Sequence, residues 1–108
     1  MLFTNFSVGN KEYKLRLNTK NVIELEKQLG CNPLAIFGKG DTIPTTTAMV
    51  AVLHCSLQQY QSGISYKDTV DIFDAYLEDG NSATDFISVI VEVYKVSGII
   101  KEDATEKN

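Results

Sequence analysis

The segment Leu2-Phe-Thr-Asn-Phe-Ser-Val8 is separated from Glu12-Tyr-Lys-Leu-Arg-Leu17 by Gly9-Asn10, and in the second segment apolar residues fall at every second position. Alternation interrupted by a turn dipeptide predicts a β-hairpin. Strand side chains point alternately to opposite faces, so Tyr13, Leu15 and Leu17 are expected on one face and Lys14 and Arg16 toward solvent or a partner. A two-stranded hairpin is marginal on its own in water, so helices must cover its apolar face.

From residue 18 onward the apolar spacing becomes helical. Asn18 or Thr19 can cap a helix running to Leu29, with Val22, Leu25 and Leu29 on one stripe and Gly30 placed to end it. Asn32-Pro33-Leu-Ala-Ile-Phe37 reads as one short helical turn, and Gly38-Lys-Gly-Asp41, with no apolar side chain, as an exposed loop. Pro44 and Thr45 to Thr47 open a helix expected to reach about Tyr60, with a stripe of Met49, Val50, Leu53, Leu57 and Tyr60. Ser65 and Asp68, then Ser82 and Asp85, have the spacing of N-terminal capping boxes with Asp in place of Glu or Gln. They predict helices over roughly 66–79 and 83–97, and Gly63, Gly80 and Gly98 fall where left-handed caps favour glycine. Strands come first and helices follow, which predicts an α+β fold: an N-terminal β-hairpin packed on a bundle of about four α-helices. One domain over residues 1–100 is expected, with the polar residues 101–108 as a flexible C-terminal tail.

Composition narrows the function classes. The chain has 108 residues, 44% of them hydrophobic and 22% charged, which is ordinary globular usage and not that of a disordered chain. The net charge is -4, with six bases and four acids in residues 1–54 against four bases and ten acids in residues 55–108. No segment gathers Lys and Arg as phosphate binding requires, so no nucleic-acid partner is expected. No window holds the roughly 18 apolar residues of a membrane span, and Met1-Leu2-Phe3-Thr4-Asn5 lacks the pattern of a signal peptide. The cytoplasm is the expected location, with no membrane partner. Cys31 and Cys55, far apart and accompanied by a single histidine, suit neither a disulfide framework nor a zinc spacing, and reduced thiols are expected.

Candidate chemistry is sparse. In Phe86-Ile-Ser-Val-Ile-Val-Glu-Val-Tyr-Lys-Val96 the polar positions Ser88, Glu92 and Lys95, with Asp85, fall within about 80° of the helical wheel, leaving an apolar arc of more than half the circumference. Such a helix is either central and buried on several sides or meets a partner along one edge, with Phe86, Ile90, Val93 and Tyr94 as the candidate contacts. Asp71, Asp74 and Glu78 cluster within about 60° of the preceding helix. Carboxylates on an exposed helix are ordinarily its solvated face, and a role in docking a basic surface fits them better than acid–base chemistry. His54 borders its helix's apolar stripe, and neighbouring helical residues diverge by about 100°, so His54 and Cys55 do not form a nucleophile–base pair. Gly9-Asn10 and Gly38-Lys-Gly40 match no phosphate-binding loop. Neither catalysis, a metal, a cofactor nor a small-molecule substrate is expected.

Residues 12–34, Glu-Tyr-Lys-Leu-Arg-Leu-Asn-Thr-Lys-Asn-Val-Ile-Glu-Leu-Glu-Lys-Gln-Leu-Gly-Cys-Asn-Pro-Leu, resemble the opening of the small tail assembly chaperones of long-tailed, siphovirus-type bacteriophages and prophages. Ile43-Pro-Thr-Thr-Thr-Ala-Met-Val-Ala-Val-Leu-His54 and Tyr66-Lys-Asp-Thr-Val-Asp-Ile-Phe-Asp-Ala-Tyr-Leu-Glu-Asp-Gly80 continue the likeness, which covers about residues 10–100. The same pattern is similar to tail-tube-associated proteins of gene transfer agents. The resemblance implies a non-enzymatic factor that binds the tape measure protein and helps recruit tail tube subunits, acting as a homo-oligomer in the bacterial host's cytoplasm and absent from the mature virion. It also implies that a longer frameshifted product can accompany the short one. It transfers no catalytic residue. The partner-binding candidates Phe86, Ile90, Val93, Tyr94, Lys14, Arg16, Asp71, Asp74 and Glu78 come from pattern alone. The competing readings are a tail completion or connector protein retained in the virion and a small regulatory protein-binding module.

Overall fold

The computed structural model describes residues 2–38 and 43–101. Strands β1 (Thr4–Val8) and β2 (Lys11–Leu15) pair antiparallel one to one, from Thr4 opposite Leu15 to Val8 opposite Lys11. Gly9 turns at φ +57°, while among the described residues no non-glycine residue has positive φ. These are the signs of a type II′ turn, whose backbone twist matches that of the flanking strands. Phe6, Val8 and Leu15 are buried on the inner face, and Leu17 follows them just beyond the strand.

Side-chain caps set the helix starts. Helix α1 (Thr19–Leu29) begins at Asn18, whose side chain accepts from Asn21 N, and ends at Gly30, φ +73°, whose N–H donates to the Glu26 carbonyl. A 3₁₀ turn over Pro33–Phe37 follows, capped by Asn32. Thr45 caps α2 (Thr46–Leu57), and Ser65 caps α3 (Tyr66–Glu78). At α4 (Ala83–Val96) the box is complete: Asp85 N donates to Ser82 Oγ, and Ser82 N donates to the Asp85 carboxylate. The order is α+β as expected: one hairpin, then the four helices. The loop expected at 38–41, apart from Gly38, and the tail expected at 101–108, apart from Lys101, lie outside the described residues.

The central helix is α2, which lies against α1, α3, α4 and β2. Every residue from Ala48 to Leu57 except His54 is buried. The expected stripe omitted Ala48, Ala51, Val52, Cys55 and Ser56, small or apolar side chains that complete the buried circumference, and a helix apolar all round belongs inside. This helix also stops at Leu57, so Tyr60 lies beyond it and is exposed. Glutamines take over the terminal carbonyls: Gln58 Nε2 donates to His54 O and Ile64 O, and Gln61 donates to Leu57 O through both its backbone N and Nε2.

The hairpin docks on the bundle through aromatic rings. Phe6 of β1 meets Tyr76 of α3 and Phe86 of α4 at centroid distances of 5.2 and 5.8 Å, and Phe73 completes the group at 5.3 Å from Phe86. Inclined ring pairs at such distances gain about 0.5–1.5 kcal/mol beyond their area burial, which favours one orientation of hairpin on helices. Beyond β2, Arg16 N donates to Ser56 O and Leu17 N to Ser97 Oγ, fastening the chain to the ends of α2 and α4.

Candidate functional site

The four apolar candidates on α4 are core residues. Phe86, Ile90, Val93 and Tyr94 are at most 1% exposed, and the Tyr94 hydroxyl donates to the Pro33 carbonyl at 2.9 Å. Their expected role as a partner surface is corrected. The wide apolar arc of α4 is used against α2 and β1 inside the fold, while Ser88 and Glu92 occupy its exposed side. Burial raises the Tyr94 phenol well above its ordinary pKa, with Cys31 adding a smaller effect, and the Tyr76 phenol is also raised, by burial and then by Asp85.

Asp71, Asp74 and Glu78 are all exposed along α3. Lys67 Nζ lies 3.6 Å from Asp71 with both side chains largely in solvent, a pair of the kind that adds little stability. The stripe faces solvent. Among the described residues, no group of three or more His, Cys, Asp or Glu side chains could hold a metal ion.

The two hairpin bases separate. Lys14 is exposed, its ammonium 5.0 Å from the Phe3 ring centroid and 5.9 Å from that of Tyr60, while the two rings meet edge to face at 5.5 Å. Arg16, expected to face outward with it, is half-buried: Nη1 donates to Gln59 Oε1 at 3.2 Å, and Nε is buried without a partner. The chain after β2 passes over the end of α2, which draws Arg16 inward. Neither Gln59 nor Tyr60 was legible as a neighbour of the hairpin, because that contact depends on where α2 stops.

A groove of about 660 Å³ runs between α1 and the end of α2, lined by Lys20, Glu24, Lys27, His54, Gln58 and Ser62 among others. His54 Nδ1 lies 3.3 Å from Gln28 Nε2, and the imidazole meets the Tyr66 ring edge to face at 5.8 Å. Cys55 is buried, and burial, with a smaller effect from Glu24, pushes its thiol up to about 12. The two adjacent side chains serve different surroundings, His54 at the groove and Cys55 in the core. Cys31 is exposed, and both thiols are free.

Among the described residues, no helix is long and apolar enough to cross a membrane. Comparison with curated proteins and with solved structures returned no match. A family model described as a family of unknown function (DUF6096) matches residues 3–108, nearly the whole chain, and the chain belongs to that family.

Proposed function

We propose that this protein is a non-enzymatic tail assembly chaperone, binding the tape measure protein and helping to recruit tail tube subunits in the cytoplasm of the bacterial host. The observation that carries this reading is the likeness of residues 12–34, 43–54 and 66–80 to such chaperones. The exposed surface suits protein docking: the acidic stripe Asp71, Asp74 and Glu78 on α3, and the Lys14 ammonium over Phe3 and Tyr60 on the hairpin. The stripe would meet a basic segment of the partner, and its attraction would weaken with salt, since the Debye length is about 8 Å at physiological ionic strength.

Co-expression with a tape measure protein from the same genome, followed by size-exclusion chromatography with light scattering, tests the reading. A soluble complex carrying several copies, lost when this protein is omitted and weakened by Asp71→Lys with Asp74→Lys, is the expected result. An insoluble tape measure with this protein eluting alone would sink it. Mass spectrometry of purified virions should not find the chain, and its presence there would favour a retained tail subunit.

A further inference from the structure

The two edges of the hairpin are treated differently. On β2, Lys14 N donates to Gln61 Oε1 at 2.7 Å and Lys14 O accepts from Gln61 Nε2 at 2.9 Å, so one side-chain amide stands in for a third strand. Since both main-chain groups of Lys14 point away from β1, the opposing pair Asn5–Lys14 is a non-hydrogen-bonded one. The N–H and C=O of Asn5 therefore point outward from β1, and by alternation so do those of Ser7. Asn5 and Ser7 are exposed, and no hydrogen bond uses their main-chain groups. Edge strands are ordinarily protected by charge, proline or a bulge. Here Leu2–Val8 contains no charged residue and no proline, and the register is unbroken.

We propose that the outer edge of β1 is a self-association surface, where β1 of a second copy of this chain pairs antiparallel to make a four-stranded sheet. The pairing is self-complementary about Asn5. Asn5 meets Asn5, so each outward N–H finds an outward C=O, and Phe3 falls opposite Ser7 and Leu2 opposite Val8. No like charges confront each other along the strands, and Leu2, 68% exposed, gains an apolar neighbour. A strand this short buries less than the roughly 1,600 Å² of a standard interface, so the dimer forms and dissociates with concentration. The surface stands independently of the tail reading, because it follows from the edge and not from the partner.

Dilution of isotope-labelled protein, followed by amide NMR and hydrogen exchange, tests the pairing directly. The Asn5 and Ser7 amides should shift with concentration and exchange about tenfold more slowly once the paired form is in about tenfold excess. The Phe6 and Lys14 amides, already bonded within one copy, should change little. Light scattering should show a dimer that Asn5→Pro abolishes, since proline removes an N–H the single copy does not use. Ser7→Lys should weaken the dimer with the fold kept. A chain monomeric at every concentration overturns the proposal. So does a dimer whose Asn5 and Ser7 amides are insensitive to dilution.

Discussion

The Tyr94 hydroxyl donates to the Pro33 carbonyl across 61 positions of sequence, joining the last helix to the turn that follows the first. Tyr94 is fully buried, and its ring also meets Phe37 edge to face at 6.2 Å. Tyr94→Phe keeps the ring and leaves a buried carbonyl without its donor, at an expected cost of about 1–3 kcal/mol. Tyr94→Ala removes the ring as well and should cost about 3–5 kcal/mol. Urea unfolding measures both. Two variants as stable as the parent would contradict the placement of α4 in the core.

The Gln61 amide predicts an effect confined to one edge. Gln61→Ala should cost about 0.5–1.5 kcal/mol, because water can reach part of the vacated site. The Lys14 amide should exchange faster, while the amides of the β1–β2 ladder keep their protection until global unfolding. Gln61→Glu should be worse than alanine, since a carboxylate facing Lys14 O and Leu57 O offers acceptors where donors are needed. Residue-resolved hydrogen exchange distinguishes this local opening from general destabilisation.

Features written in adjacent residues were legible in the sequence; those depending on how distant segments meet were less so. Asn18, Thr45, Ser65 and Ser82 cap through an N–H three residues on, and Gly9 turns the hairpin by its own φ, so short windows announce them. The choice between α2 and α4 as the central helix was a global matter. Both have wide apolar arcs, but small residues such as Ala51 and Ser56 let neighbours approach α2 on every side, whereas Glu92 keeps part of α4 in water. The exposure of Asp71, Asp74 and Glu78 on α3 was legible because the helical wheel places them on one side. The cover over Lys14 on the edge of β2 was missed because Gln61 acts from beyond the helix end, and glutamine is itself a good helix former.

The reciprocal cap at α4 gives a graded prediction. Ser82→Ala removes the acceptor of Asp85 N and should cost about 1 kcal/mol, whereas Ser82→Gly should cost only a few tenths. Asp85→Ala breaks the other half of the box by removing the acceptor of Ser82 N. The two alanine changes share one motif, so their costs should not add in the double variant. Equal effects of alanine and glycine at Ser82 would argue against the cap.

The two cysteines should separate in reactivity and in their contribution to stability with pH. The thiolate is the nucleophile, so exposed Cys31 should react with an alkylating reagent near neutral pH, while Cys55, buried and raised to about 12, should react only when the chain unfolds. The folded state holds the Cys55 proton more tightly than the unfolded chain, whose thiol keeps the ordinary value of 9.0. Stability from this group is therefore fully present below about pH 9 and is lost as the pH rises toward about 12. The raised Tyr76 and Tyr94 phenols act in the same direction. Urea midpoints measured at increasing alkaline pH should fall more steeply for the parent than for Cys55→Ala, even though the variant starts lower because of its lost packing. Parallel pH profiles, or rapid labelling of Cys55 in the folded protein, would show that this thiol is not held in the core as described.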